Sequence, residues 1–427
     1  MTTTTKTSTH TTIAAVYVSR HRENAMYTRG QWWHYAKGVW RPIHDLQMSA
    51  EVWHLLKEFE QRDGLRPTIT VKNSVLDCLK GEFYVPEELV DSCHGMVNLQ
   101  NGVYDLETNK LIDHRPEFYL TTQLPFAYDE KAPTCMLPLY LLSTFTKPHS
   151  MEHDPELVTF LQEAVGYSLT TSVDQHVIFL CYGEGANGKG VLFHMLEQLA
   201  GAAAVPLDIN QLRRERYQLA DLAGKKVALC SETSATQNLV EDAIIKTLVS
   251  GDTIRVRQIY REPFTLYPTS KLWWAMNELP PVADTSEGFW RRIRVIPFNR
   301  QFNDTDQIKD LKQQLDQELP GIFNWAMQGL RRLREQGTFT APMQIKVLTA
   351  QYRKDSNPVA LFVEDRCVVG ALEKVQSSAI YAEYKEWCRE NTFQAHSSKN
   401  FKCELQRLGF QWKRIASYSE FYGLRIR

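Results

Sequence analysis

What the chain lacks removes several classes of function. It has no C-x-x-C pair: Cys78, Cys93, Cys135, Cys181, Cys230, Cys367, Cys388 and Cys403 are scattered. Zinc ribbons and fingers are thereby disfavoured, no disulfide framework is suggested, and reduced, mostly buried thiols are expected. No apolar run is long enough for a transmembrane helix, and the polar start MTTTTKTSTHTT has no apolar signal-peptide core. The formal net charge is only −1, so composition does not mark a nucleic-acid binder and any basic surface must be local. No internal repeat is visible. These absences predict a soluble cytoplasmic protein with no membrane partner and a disordered tail over 1–14.

What is present fits folded domains: 427 residues, 43% apolar and 11% aromatic, enough for two to four cores. Residues 15–45, with AAVYVSR and AMYTRGQWWHYAKGVWRPI, read as a small antiparallel sheet. Trp32, Trp33, Tyr35 and Trp40 fit one face of a small core better than a base-stacking platform. Residues 48–95 read as helical, and VNLQNGVYDLETNKLI as a hairpin with turns at Asn101-Gly102 and Thr108-Asn109. Pro133, Pro138 and Pro148 suggest a linker over 133–150. From 155 to about 300 strands and helices alternate, the mark of an α/β core. A helical pair follows over 306–336. The last segment, 345–427, reads as two or three helices closed by two short strands, FQWKRIA and EFYGLRIR, which suggests a winged helix.

One stretch carries chemistry. HVIFLCYGEGANGKGVLFHMLEQLAG reads as a strand over Val177–Cys181, a glycine loop and a helix. Such a loop turns backbone N–H groups toward phosphates and adds the partial positive charge of a helix N-terminus. Gly183, Gly188 and Lys189 meet the G-x-x-x-x-G-K pattern, but Gly190 stands where a hydroxyl would touch Mg²⁺. KKVALCSE supplies a second strand, Val227–Cys230, with Glu232 beyond it as a general base and Ser231 where a magnesium-linked acid often stands. A third strand, Lys271–Asn277, ends in an amide able to orient the attacking water. Arg291 and Arg292 then precede an apolar run; they read either as an arginine finger or as solvated surface.

The string GEGANGKG…VALCSET…KTLVSGDTIRVRQIYREPFTLYPTSKLWWAMNELPPV…GFWRRIRVIPF resembles superfamily 3 helicases, in the branch of phage, plasmid and pathogenicity-island primase–helicases. The resemblance covers about 155–335 through four ordered motifs. It extends upstream through VNLQNGVYDLETNKLIDHRPEFYLTTQLPFAYD. It implies an AAA+-like α/β P-loop core over 149–338, flanked by a small α+β domain over 15–148 and a winged helix over 345–427. It further implies a homo-hexameric ring on single-stranded or forked DNA, moving 3′ to 5′ in a bacterial host cell and working with a primase or other replication proteins. ATP would lie on Gly183, Gly185, Ala186, Asn187, Gly188, Lys189, Gly190 and Val191. Mg²⁺ would be held largely through water near Ser231 and Glu232. Glu232, Asn277 and a neighbour's Arg292, with Arg291 as second choice, would complete catalysis.

DTIRVRQIYREPFTLYPT reads as a hairpin with a basic tip, suited to gripping phosphates in a ring pore independently of base sequence. Arg255, Arg257, Arg261 and Lys271 are its candidate DNA contacts. In the last module Lys399, Lys402, Lys413 and Arg414 belong to a local positive excess suited to duplex or fork binding, though a winged helix also serves as a protein-docking element. No paired carboxylates of a two-metal nucleotidyl transferase stand before the helicase segment, so primer synthesis is not expected. Two other readings remain: a binding protein that uses ATP for assembly, and an initiator or loader that melts origin DNA without processive unwinding.

Overall fold

The N-terminal apolar runs divide between helices and a small sheet. The computed structural model describes residues 9–208, 216–230, 242–258, 262–280, 282, 287–391, 393 and 395–427. Helix α1 (Thr9–His21) precedes the antiparallel strands β1 (Ala25–Thr28), β2 (Gln31–Ala36) and β3 (Val39–Ile43). Helices α2 (Asp45–Asp63) and α3 (Ile69–Glu82) follow. The AAVYVSR run is therefore helical rather than a strand, and α1 begins inside the stretch expected to be a tail. The reason is burial: Ile13, Ala14 and Tyr17 share one helical face and are buried with residues of α2 and α3, and tertiary packing overrides β-branched propensity. Trp32 and Trp33, on opposite faces of β2, enter two different apolar clusters, and Trp40 joins the second. All three are core residues.

A 3₁₀ turn (Glu87–Leu89) leads to β4 (Met96–Leu99), β5 (Gly102–Asp105) and β6 (Lys110–Ile112), an antiparallel meander whose turns fall where Asn-Gly and Thr-Asn predict them. The expected linker is instead a core helix, α4 (Met136–Thr144), with Leu137, Tyr140 and Leu141 buried. Pro138 lies in its first turn, where the missing N–H removes no intrahelical bond. The free amides of Cys135, Met136 and Leu137 donate to the Glu318 carboxylate at 2.8, 2.8 and 3.2 Å, which satisfies the helix start with a negative charge.

Next come α5 (Pro155–Ser168), β7 (Ile178–Tyr182), α6 (Lys189–Ala200), β8 (Ala204–Pro206), β9 (Val227–Cys230) and α7 (Asp242–Ser250). A short antiparallel pair, β10 (Ile254–Val256) and β11 (Phe264–Leu266), precedes β12 (Lys271–Met276), α8 (Glu287–Trp290) and β13 (Ile293–Pro297). The long strands run parallel in the order β13-β7-β12-β9-β8. β9 and β12 are buried along their whole length, as expected of a parallel sheet covered on both faces. Helices α9 (Leu311–Asp316), α10 (Leu319–Gln336) and α11 (Met343–Asp355) complete this region. One apolar cluster runs from Val97 in β4 to Ile345 in α11, across the domain boundary expected at 148.

The last segment contains α12 (Pro358–Arg366), β14 (Cys367–Gln376), α13 (Ser377–Glu390), α14 (Ser398–Arg407), β15 (Gln411–Ile415) and β16 (Tyr418–Ile426). Its antiparallel sheet has the order β14-β16-β15. Strand β14 was not legible in the sequence, because its register breaks between Val369 and Lys374 around Gly370. Among the described residues, no helix is long and apolar enough to cross a membrane.

Candidate functional site

The glycine loop leaves the carboxyl end of β7, between the ends of its neighbours β12 and β13, and enters α6 directly. In open parallel sheets this is where ligands bind. Two glycines are required by shape. A Cβ at Gly183 would lie 2.5 Å from the Phe298 carbonyl, and Gly188 adopts φ 89° with Thr144 Cγ2 3.0 Å from where a Cβ would be. Gly190 differs: it is helical, and a Cβ there would meet nothing within 4 Å. Space therefore does not explain the missing hydroxyl. Gly185, Ala186 (φ 54°) and Asn187 form the turn, and Val191 follows in α6.

Lys189 is 4% exposed. Its ammonium donates to the Gly183 carbonyl, to the Glu184 carbonyl at 3.4 Å and to Asn277 Oδ1 at 2.7 Å. Asn277 directly follows β12, so the sheet brings together the loop lysine and the amide, the two groups singled out 88 positions apart. Asn187 accepts from the Lys189 amide at 3.3 Å, while its buried Nδ2 has no partner. Burial pushes the neighbouring Cys181 thiol far up, against the opposing effect of Lys189, which keeps it protonated and inert. Ser231 and Glu232 lie outside the described residues, so their expected roles have no geometry here. Among the described residues there is no cluster of three or more His, Cys, Asp or Glu side chains able to hold a metal.

Beside the loop opens a cavity of about 540 Å³. One wall is α4, with Tyr140, Ser143 and Thr144; the other follows β13, with Arg300, Phe302 and Leu311. The walls are tied to the loop and to each other. Tyr140 Oη donates to the Gly188 carbonyl at 3.1 Å, the Phe302 amide to Ala186 at 2.7 Å, and Gln301 to Glu184 at 2.7 Å. Arg300 donates to the Ser143 carbonyl at 3.1 Å and stacks 4.6 Å from the Phe302 ring. Sequence reasoning missed all of these wall residues. Their signal was weak: a three-proline segment that reads as a linker, and a polar stretch after β13.

The remaining site residues scatter. Arg291 and Arg292 stand at the amino-terminal end of β13, opposite the loop. Arg292 is half-buried and held within its own chain, donating to Gly288 and to Ser250 Oγ at 3.1 Å, whereas Arg291 is exposed. Arg255 and Arg257 are exposed on the β10–β11 hairpin; Arg261 lies outside the described residues. Lys271 does not belong with them. It is 3% exposed, and its ammonium donates to the carbonyls of Thr170 at 2.5 Å and Thr269 at 2.8 Å above the Tyr167 ring. Burial, with Lys226 beside it, holds its pKa well below the ordinary lysine value, so the DNA role expected for it is withdrawn. Lys399, Lys413 and Arg414 are exposed, while Lys402 is half-buried over the Trp412 ring.

Known proteins resemble this chain over most of its length. Residues 14–162 match the family described as D5 N terminal like, residues 354–421 that described as Poxvirus D5 protein-like, and residues 181–292 a family of unknown function. Among the similar curated proteins is "Putative helicase L207/L206" of Acanthamoeba polyphaga mimivirus. It is 26% identical over 353 residues, covering 75% of this chain and 36% of the relative. "Putative helicase 022R" of Frog virus 3 is 21% identical over 416 residues (75% and 42%). "Putative helicase 184R" of Invertebrate iridescent virus 6 is 24% identical over 362 residues (74% and 36%). The chain thus spans about 36–42% of these relatives' length. They come from viruses of eukaryotes, and none of the three supports the bacterial host expected from the phage branch. Two apo structures of the NrS-1 C-terminal region share the fold, each with a TM-score of 0.51. One is 13% identical and covers 80% of this chain and 74% of that one; the other is 10% identical and covers 98% and 100%. The chain is thus similar to D5-like families over two stretches and to viral proteins named putative helicases, and it shares the fold of the NrS-1 C-terminal region.

Proposed function

We propose that this chain is an ATP-driven DNA helicase of viral or mobile-element replication. On this reading it has an AAA+-like core, acts as a homo-hexameric ring on single-stranded DNA, and moves 3′ to 5′. The observation that carries it is the hydrogen bond between Lys189 and Asn277 at the carboxyl edge of the β13-β7-β12-β9-β8 sheet, because it joins a phosphate-binding loop to a group that senses what the loop holds. The loop amides and the start of α6 bind the phosphates, and Lys189 exchanges loop carbonyls for phosphate oxygens. The base and ribose enter the cavity between α4 and the segment after β13. Asn277 orients the attacking water and Glu232 accepts its proton. Mg²⁺, carried by phosphate oxygens and water, would offset the phosphate charge. A neighbouring subunit supplies a guanidinium. Exposed Arg291 suits this better than Arg292, which its own chain already holds. The hairpin with Arg255 and Arg257 grips the DNA backbone. The helices and three-stranded sheet after 357 act as a winged helix that presents Lys399, Lys413 and Arg414 to duplex or fork.

The test is Lys189→Ala. ATP turnover and strand separation are expected to vanish while the circular-dichroism spectrum stays that of the parent; retained unwinding would sink the proposal. The initiator or loader reading draws on the basic face of the last segment. It predicts that an origin duplex outcompetes random duplex, and equal competition speaks against it.

A further inference from the structure

The N-terminal region touches the β10–β11 hairpin at two places. Glu87, in the 3₁₀ turn, accepts a hydrogen bond from the Thr265 amide of β11 at 2.9 Å. The turn between β1 and β2 packs on the same strand and on Glu262 just ahead of it. Arg29 lies 6.0 Å from the Phe264 ring, and a Cβ at Gly30 would lie 3.9 Å from that of Glu262. Arg29 is itself fixed: its side chain is 8% exposed, its backbone is left-handed, and it faces Asp91 at 3.9 Å. Asp91 in turn accepts from the Thr121 amide at 2.8 Å and from its hydroxyl at 2.6 Å. A buried cation in a left-handed residue is an expensive feature in a turn that only has to reverse the chain. Its ring contact with Phe264 and the Glu87 hydrogen bond to Thr265 both fall on β11.

We propose that Glu87 and Arg29 are positioning residues for the hairpin. The N-terminal sheet clamps β11 and thereby sets where Arg255 and Arg257 meet the DNA strand. Glu87 holds the edge of β11 through the Thr265 amide, and Arg29 lies near the Phe264 ring, which with Leu266 is buried in the apolar cluster of the parallel sheet. A hairpin so short, three residues to each strand, has little stability of its own, so one external hydrogen bond on its edge weighs heavily in its position. This inference rests on reading the hairpin as the DNA grip, and the experiment separates the two.

In the 427-residue chain, Glu87→Ala removes the acceptor and Glu87→Gln keeps one. Hydrogen exchange is followed over residues 264–266, and ATP turnover is titrated with a single-stranded oligonucleotide. For Glu87→Ala, faster exchange at 264–266 is expected, with an unchanged rate without DNA. The DNA concentration giving half-maximal stimulation is expected to rise about twofold to tenfold, the range one hydrogen bond supports. Glu87→Gln is expected to restore both properties. Faster exchange with an unchanged DNA response would overturn the positioning role, and so would unchanged exchange. A double Arg255→Ala, Arg257→Ala variant with an unaltered DNA response would instead remove the hairpin as the DNA grip, and the proposal with it.

Discussion

Gly188 and Gly190 are two positions apart, one ending the loop and one in the first turn of α6, yet they are glycine for different reasons, and alanine at each should behave in opposite ways. Gly188 sits at φ 89°, and an added Cβ meets Thr144 Cγ2 at 3.0 Å, Thr144 Oγ1 at 3.2 Å and Tyr140 at 3.4 Å. A left-handed alanine costs about 1–2 kcal/mol before any crowding. Tyr140 can give little, since it is buried and bonded to the Gly188 carbonyl. If the loop shape seen here is the one that binds phosphate, that cost appears in nucleotide affinity as a loss of about 5–30-fold. Gly190 has helical backbone and open space around it. Alanine there removes the disadvantage of glycine in a helix, about 0.5–1 kcal/mol, and should leave affinity unchanged or slightly improved. The assay is a titration with a fluorescent ATP analogue in Mg²⁺, beside a thermal melt of each variant. Equal weakening by both variants would show that the conformation of the loop is not what binds nucleotide. Normal binding by Gly188→Ala would refute the steric reasoning outright.

Lys226 is buried, and burial lowers its pKa to about 8, opposed only by Asp91. The unfolded chain therefore holds this proton over a pH range where the folded chain has lost it, and stability contributed by this site rises between about pH 8 and the ordinary lysine value. Lys226→Met should be more stable than the parent at pH 7, and the advantage should shrink by pH 10; denaturant midpoints at both pH values check this. Arg291→Ala is expected to keep ATP binding and the parental melting temperature while losing turnover, and to suppress turnover of parent subunits when mixed with them. Arg292→Ala is expected to lower the melting temperature, because Ser250 and the Gly288 carbonyl lose their partner.

Legibility followed burial and period. Strands β7, β9 and β12 were read within a residue or so, because strands buried on both faces are continuous apolar runs. Lys189 and Asn277 were singled out because each ends or follows such a run. The failures have a common cause: the deciding partner lies far away in sequence. AAVYVSR became helix because α2 and α3 cover Ile13 and Tyr17. The three-proline segment became α4 because Glu318, more than 180 positions later, caps it. Lys271 looked basic and available, but only the packing of Thr170 and Tyr167 over it shows where its ammonium goes.

The same long-range dependence bears on where the proposed nucleotide-binding unit begins. The sequence motifs place the start near 149, but the apolar cluster that supports α6 includes Val97, Leu99, Tyr104, Leu137, Tyr140 and Phe145. A fragment of residues 149–338 would expose the faces these side chains cover. It would also lose Tyr140 from the Gly188 carbonyl, Ser143 from Arg300, and the three amides that Glu318 neutralises. Fully burying one large apolar side chain is worth about 1.5–3 kcal/mol. Six of them amount to about 9–18 kcal/mol, as much as the whole stability of an ordinary domain, about 5–15 kcal/mol. Such a fragment should be insoluble or unfolded. One that begins ahead of β4, at residue 93, keeps every contact just named and should bind the ATP analogue. A soluble 149–338 fragment with the affinity of the full chain would show that α4 is only a neighbour of the nucleotide site, and that the cavity it walls is not where the base lies.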